Sequence, residues 1–415
     1  MNTKILFCAS YPNQPIGYSR IANVLSNFLA SQSQIELYYF GFSNFEHLQV
    51  DRFINPNIKF IDVFKEEKLS EENFGTTIIN QVVEQIQPNM IFIYNDIIVT
   101  CRLFNSLQTC QFKNYKLVVY IDLVYKFEKP LYIDYLKRKA DQLFVFSDYW
   151  KHHLVNDFKF EKDKVFVLPH GLNKEHFFII DKLQARKQLN FEEDDFIVFN
   201  TNRNTYRKGW DITISSFLQF YKMTNLDKKV KLLINCKLES KSGYDIIELV
   251  KIYCIKYNLD YNHIINNQII LLKWNFKDPK NGSTEIPDHF INLVYNAVDV
   301  GLNTCVGEGF GLCNLEGACL NVPQVVSNVG GLSDMFENEL SMLVDPITSI
   351  QCSNLQDGHN GDLEICNSQD FAKRLYMYYL NSEKRTQDGL RIGTKLRNKY
   401  DWNNILDTFL NQLAI

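Results

Sequence analysis

Short apolar runs recur along the chain, with helical stretches between them. KILFCAS gives way to a Gly-containing turn and then to RIANVLSNFLASQ, where Ile21, Val24, Leu25, Phe28 and Leu29 fall at helical spacing. ELYYFGF, IKFIDVF, MIFIYN, KLVVYID and LFVFS follow as strand candidates, each rich in aromatic and β-branched residues. None alternates cleanly with polar residues, which is the pattern of strands covered on both faces in a parallel sheet. FGTTIINQVVEQIQP reads as a crossover helix stopped by Pro88.

The pattern then restarts. DFIVFNTN, VKLLINCK, QIILLKW, DVGLN, PQVVSN and SMLVD read as strands, with helices expected around 209–224, 244–257, 286–297 and 312–321. Two successive βα series predict an α/β chain of two Rossmann-like, doubly wound domains. Polar and turn residues in PHGLNKEHFFIIDKLQARKQ interrupt the strands and place the join there. SNLQDGHNGDLE, within 349–368, reads as a surface loop before the last helices.

A length of 415 residues agrees with two domains, and 46% hydrophobic with 22% charged residues is the balance of a folded protein. The charge count, 44 basic against 48 acidic for a net of -4, argues against nucleic acid as the main partner. Ten scattered cysteines form no C-x-x-C pair, so a reducing, cytoplasmic setting is the simpler expectation. MNTKILFCAS is broken too soon by YPNQP to be a signal peptide, and no apolar run approaches the roughly 18 residues of a membrane span. A soluble protein is expected. YLKRKADQ, with Lys137, Arg138 and Lys139, offers a peripheral contact to anionic lipid, although a solvated helix face is the preferred reading.

Ligands of open parallel sheets sit at the carboxyl ends of the strands, against helix N-termini. GEGFGLCNLEGACLNVPQVVSNVGG, residues 307–331, follows the strand DVGLN and carries Glu308, then Gly309-Phe310-Gly311-Leu312, then Glu316. The glycines permit a tight turn, and the unpaired amides of a helix starting near Gly311 form an anion site suited to a diphosphate. Both glutamates can face one ligand, and a carboxylate accepts hydrogen bonds from neighbouring sugar hydroxyls. Taken singly, a Gly-rich turn is weak evidence and Glu308 could merely favour the helix dipole. NTNRNTYRKGW places Arg203, Arg207 and Lys208 in a loop after DFIVF; such cations neutralise a diphosphate, or form an ordinary solvated loop. SYPNQPIGYSR puts Gly17 just ahead of the first helix and contains no G-x-G-x-x-G dehydrogenase fingerprint.

With these residues in view, the chain resembles glycosyltransferase family 4, retaining enzymes of GT-B fold. EGFGLCNLEG, with seven residues between Glu308 and Glu316, looks like the family's E-x7-E motif, and NRNTYRKGWD resembles its Arg-x4-Lys-Gly loop. VFVLPHGLNKEHF, LVYNAVDVGLNTCVGEGFGL, PQVVSNVGGLSDMF and KYDWNNILDTFLNQL resemble further stretches, so the likeness covers most of the chain. It implies an acceptor-binding domain over 1–175, a nucleotide-sugar-binding domain over 176–398 and a C-terminal helix, 399–415, packing back on the first domain, the two domains facing a central cleft.

The resemblance also implies roles. Arg203 and Lys208 bind the donor diphosphate, Glu316 holds the ribose hydroxyls, and Glu308 contacts the transferred sugar. Glu308, Arg203 and Lys208 form the catalytic set. The amides of Phe310, Gly311 and Leu312 line the sugar-phosphate site, Gly17 lies in a loop over the diphosphate, and Asp122 joins the donor-binding residues. Departures are Asn303, Thr304 and Cys305 where Pro-Ser is common, Gly317 after the second glutamate, and Ile121 in place of a histidine before Asp122. The implied partners are a nucleotide-diphosphate sugar, UDP- or GDP-linked, and a glycan, lipid or other glycoconjugate acceptor. No cofactor or metal is expected, since the chain contains no Asp-x-Asp. Base-specific contacts are expected near Trp274 and Asn275. A nucleotide-sugar epimerase of the same fold and a non-catalytic binding subunit are the rivals.

Overall fold

Both expected series of strands and helices are present in the computed structural model, which describes residues 2–46, 49–67, 74–272, 288–355 and 357–413. These fall into two compact units, 2–170 with 403–413 and 171–272 with 288–402. The first is built on seven strands: β1 (Thr3–Ser10), β2 (Ile35–Phe42), β3 (Lys59–Asp62), β4 (Met90–Asp96), β5 (Lys116–Asp122), β6 (Gln142–Val145) and β7 (Val165–Val167). All pair in parallel, in the order β3-β2-β1-β4-β5-β6-β7. Consecutive residues Ile5 to Ala9 are buried, as a strand packed on both faces requires.

The Trp402–Leu413 helix belongs mostly to this first unit. Phe409, fully buried, sets its ring edge against Phe92 and Phe144 at centroid distances of 5.6 and 5.5 Å. Lys116 Nζ donates to Leu413 O at 3.2 Å and Gln142 Nε2 to Gln412 O at 2.8 Å, so strand residues satisfy the carbonyls at the helix end. The chain therefore returns to the sheet it began with.

The second unit repeats the plan with β8 (Phe196–Asn200), β9 (Val230–Ile234), β10 (Ile269–Leu271), β11 (Val300–Asn303), β12 (Gln324–Ser327) and β13 (Leu343–Val344). Its parallel order is β10-β9-β8-β11-β12-β13. The strand order reverses between β8 and β11, and a doubly wound sheet offers its ligand site at that reversal.

One expectation fails. Residues 349–368 are not a plain loop: β14 (Pro346–Cys352) and β15 (Gly361–Cys366) form an antiparallel hairpin. The polar Asp357, Gly358, His359 and Asn360 that suggested a loop occupy its tip end, where Gly358 and Asn360 take positive φ. β14 is exposed along most of its length, so it lacks the apolar run that marked the other strands.

Candidate donor site in the second unit

The site grows from two neighbouring strand ends. β8 and β11 pair at Val198–Val300 and Phe199–Gly301, and each then enters a loop that leads to a helix. After β8 the loop closes with a short 3-10 turn, Tyr206–Lys208, before the Trp210–Met223 helix. After β11 it runs to the Leu312–Cys319 helix. Gly209 turns the first loop with φ of +61°, and a Cβ there would lie 2.2 Å from Thr304 O. Only glycine permits both the backbone and that approach.

Buried polar groups tie the loops together. Asn200 Nδ2 donates to Thr213 Oγ1 at 2.9 Å, the two hydroxyls of Thr213 and Thr304 lie 2.6 Å apart, and Thr304 Oγ1 donates to Gly209 O at 2.8 Å. Since Thr304 spends its proton on Gly209, Thr213 is the donor between the hydroxyls. Val306 N donates to Arg207 O at 2.9 Å. A second chain, Asn303 Nδ2 to Asn314 Oδ1 at 2.7 Å and Asn314 Nδ2 to Gln324 Oε1 at 3.0 Å, joins the end of β11 to the following helix and to β12.

Lys208 Nζ donates to Glu308 Oε2, and both side chains are buried. Arg207 Nη1 lies 3.6 Å from Glu308 Oε1 and donates to Gly307 O at 2.8 Å. Burial pushes the Glu308 carboxyl up, but the Lys208 and Arg207 charges, with hydrogen bonds from Lys208 and Asn303, outweigh it and hold it at about 2. Glu308 is therefore an anion at neutral pH in a nearly water-free place. Its own carbonyl is fixed by Gly331 N at 3.0 Å, and Gly331 passes so close that a Cβ would lie 2.4 Å from Gly309 O.

Glu316 is buried on the Leu312–Cys319 helix. Tyr295 OH donates mainly to Cys313 O, at 2.8 Å, and reaches Glu316 Oε2 at 3.4 Å. That helix begins at Gly311, in the left-handed region with φ of +95° and with no side-chain cap. Its first amides lack intrahelical acceptors by geometry, those of Gly311 and Leu312 among them. Phe310, just before, is buried with its ring edge-on to Tyr400 at 5.5 Å.

The structure thus gathers Lys208, Glu308, Phe310, Gly311, Leu312 and Glu316 around the β8 and β11 ends. Arg203 is in the same loop but exposed; its carbonyl receives Thr205 N and Trp210 Nε1, and the arginine beside Glu308 is Arg207. The sequence signal for Arg207 was its place immediately before Lys208. The Asn303–Asn314–Gln324 chain was missed, although a buried strand ending in Asn303 is an unusual enough place for an amide to have marked it.

Gly17 and Asp122 belong to the first unit. Gly17, expected just ahead of the first helix, is instead the first residue of the Gly17–Ser31 helix, which starts earlier than expected because Ile16 at the cap offers no side-chain acceptor to mark the start. Asp122, at the end of β5, accepts from Tyr18 OH at 2.7 Å. Burial first and then the Asp122 charge push the Tyr18 hydroxyl well above its ordinary value, so it stays protonated. Lys137 Nζ donates to Phe158 O and Arg138 Nε to Asp134 O, in keeping with a surface helix end. Among the described residues no helix is long and apolar enough to cross a membrane, and no cluster of three or more His, Cys, Asp or Glu could hold a metal. All ten cysteines are free. Trp274 and Asn275 lie outside the described residues.

Comparison with known proteins bears on the fold and on the C-terminal part of the chain. A model of family 4 glycosyltransferases in conflict systems matches residues 292–409. An uncharacterized glycosyltransferase of Methanocaldococcus jannaschii is 26% identical over 204 residues, 48% of this chain and 45% of that relative, so the match spans less than half the relative's length. Sucrose-phosphate synthase from Thermosynechococcus elongatus superposes with a TM-score of 0.72 at 16% identity, covering 100% of this chain and 98% of the other. Anabaena HepE, solved in complex with UDP and glucose, gives 0.68 at 14% identity with both chains covered in full, 100% each. Identities this low speak for the fold alone. The chain has the GT-B fold, and its residues 292–409 carry the sequence pattern of the family 4 glycosyltransferases.

Proposed function

We propose that this chain is a retaining glycosyltransferase that moves a sugar from a nucleotide-diphosphate sugar to an acceptor hydroxyl on a glycan, lipid or other glycoconjugate. The observation that carries the reading is the buried Lys208–Glu308 pair at the reversal of the second sheet, with Glu316 on the helix that follows. Lys208 has three N–H donors, so it can keep Glu308 and still meet a phosphate oxygen. Arg203, exposed in the same loop, supplies a second phosphate contact.

The uncapped start of the Leu312–Cys319 helix, with the amides of Phe310, Gly311 and Leu312, takes the sugar-phosphate end. Glu316 accepts from the ribose hydroxyls. Glu308, kept anionic by its cations, accepts from sugar hydroxyls and favours the positive charge that develops as the bond from the anomeric carbon to phosphate breaks. The acceptor oxygen bonds to that carbon on the face the diphosphate leaves, and the leaving phosphate oxygen takes the acceptor's proton. No protein nucleophile and no metal take part; positioning and charge stabilisation supply the rate.

Because HepE was solved with UDP, uridine donors are the first to try. The test is thermal stabilisation across nucleotide diphosphates and nucleotide sugars, run beside Glu316→Ala. Stabilisation by one nucleotide, lost in the variant, is expected. No stabilisation by any nucleotide at millimolar concentration would overturn the proposal.

A further inference from the structure

β15 does more than complete a hairpin. Glu364 N donates to Val306 O at 3.0 Å, and Val306 N donates in turn to Arg207 O at 2.9 Å. Val306, buried two residues before Glu308, is held from both sides, by the hairpin and by the loop that carries Lys208. The hold continues through Arg207 Nη1 on Gly307 O and Gly331 N on Glu308 O. Four hydrogen bonds therefore fix the backbone of three consecutive residues that end at Glu308.

The hairpin register fits this use. Glu364 stands opposite Ser349 of β14, and in an antiparallel pair a residue sends its N–H and C=O to the same side. Since the Glu364 N–H reaches Val306, that side is away from β14, and the contact is made without giving up a rung of the hairpin.

We propose that the β14–β15 hairpin is a positioning element for Glu308, acting through the Glu364 N–H on Val306. It rests on the donor-site reading above and adds a part to it that the E-x7-E and Arg-x4-Lys patterns do not contain. If the latch is released, the 306–308 segment is free to drift from Lys208 and Arg207. Glu308 then loses the charges that keep its carboxyl low, and the sugar end of the site suffers while the nucleotide end, on Glu316, does not.

Glu364→Pro removes that N–H while leaving the hairpin's own ladder in place. Glu364→Gln, which keeps it, is the conservative comparison. The expected result for Glu364→Pro is a kcat lowered by roughly tenfold, the size of one positioning hydrogen bond. The affinity for nucleoside diphosphate is unchanged, and the Glu308 carboxyl titrates higher by NMR of 13C-labelled glutamate. Glu364→Gln behaves as the parent. Should Glu364→Pro not fold, excising 347–365 and joining Pro346 to Cys366, which pair across the hairpin, by a Gly-Gly turn serves the same end. An unchanged kcat and an unchanged Glu308 titration in the folded variant would overturn the inference, as would equal losses in Glu364→Gln. A parent that transfers no sugar from any donor defeats the functional reading instead, and the Glu308 titration then decides the positioning role by itself.

Discussion

Lys208 Nζ and Glu308 Oε2 meet across the ends of β8 and β11, joining two residues a hundred positions apart in the sequence. Neither charge is stable alone at that depth. Removing Glu308 leaves Lys208 buried without that anion, and removing Lys208 leaves Glu308 only Arg207, at 3.6 Å; either costs more than the pair contributes.

Lys208→Ala should therefore lower transfer by roughly 10²-fold or more, the usual effect of deleting one preorganised electrostatic contact. Initial rates at saturating donor measure it. Turnover equal to the parent's would remove Lys208 from the reaction.

The acid stability of the second unit carries the mark of the same pair. The folded Glu308 carboxyl, at about 2, is depressed below its ordinary 4.5. Its contribution is thus present in full above the ordinary value and fades as pH falls from about 4.5 towards 2. In Lys208→Met the first of the two lowering charges is gone and burial acts less opposed, so that window narrows. Urea midpoints between pH 6 and 3, parent against variant, are the measurement; identical pH profiles would contradict it.

Gly209→Ala should destabilise the second unit beyond an ordinary loop change. The left-handed backbone costs an alanine about 1–2 kcal/mol, and a Cβ only 2.2 Å from Thr304 O adds a collision with main chain. A thermal midpoint several degrees lower, with nucleotide stabilisation weakened, is expected. A midpoint matching the parent's would show that the two loops separate more readily than their hydrogen bonds suggest.

Phe409→Ala empties the space against Phe92 and Phe144 and should cost about 3–5 kcal/mol, as for other fully buried aromatic rings. Calorimetry should show the loss in the first unit's transition. A variant that melts as the parent does would mean the helix is dispensable to that sheet.

The sequence exposed the parts whose cause is local. Runs such as KILFCAS and DFIVF declared buried parallel strands because both faces are apolar, and EGFGLCNLEG, after the strand DVGLN, declared a turn into a helix because its glycines and glutamates lie within ten residues. What stayed hidden depends on contacts distant in sequence. Arg207 and Arg203 are equivalent as residue types; the 3-10 turn at Tyr206–Lys208 aims one at Glu308 and leaves the other exposed. The hairpin escaped notice because β14 buries little, and Asn303 was read only as a strand end because the amides it joins, Asn314 and through it Gln324, arrive from other elements.

The return of the Trp402–Leu413 helix to the first sheet sets an order on the ribosome. Phe92 and Phe144 emerge early, but the ring that covers them comes only after the whole second unit. Those roughly 230 intervening residues take about 10–50 s to make at 5–20 residues per second. For that time the first sheet waits with an aromatic groove open, a surface that chaperones or other nascent chains can occupy. A product terminated short of Phe409 is left in that state for good, so its expected fate is aggregation or degradation, not service as a shorter enzyme.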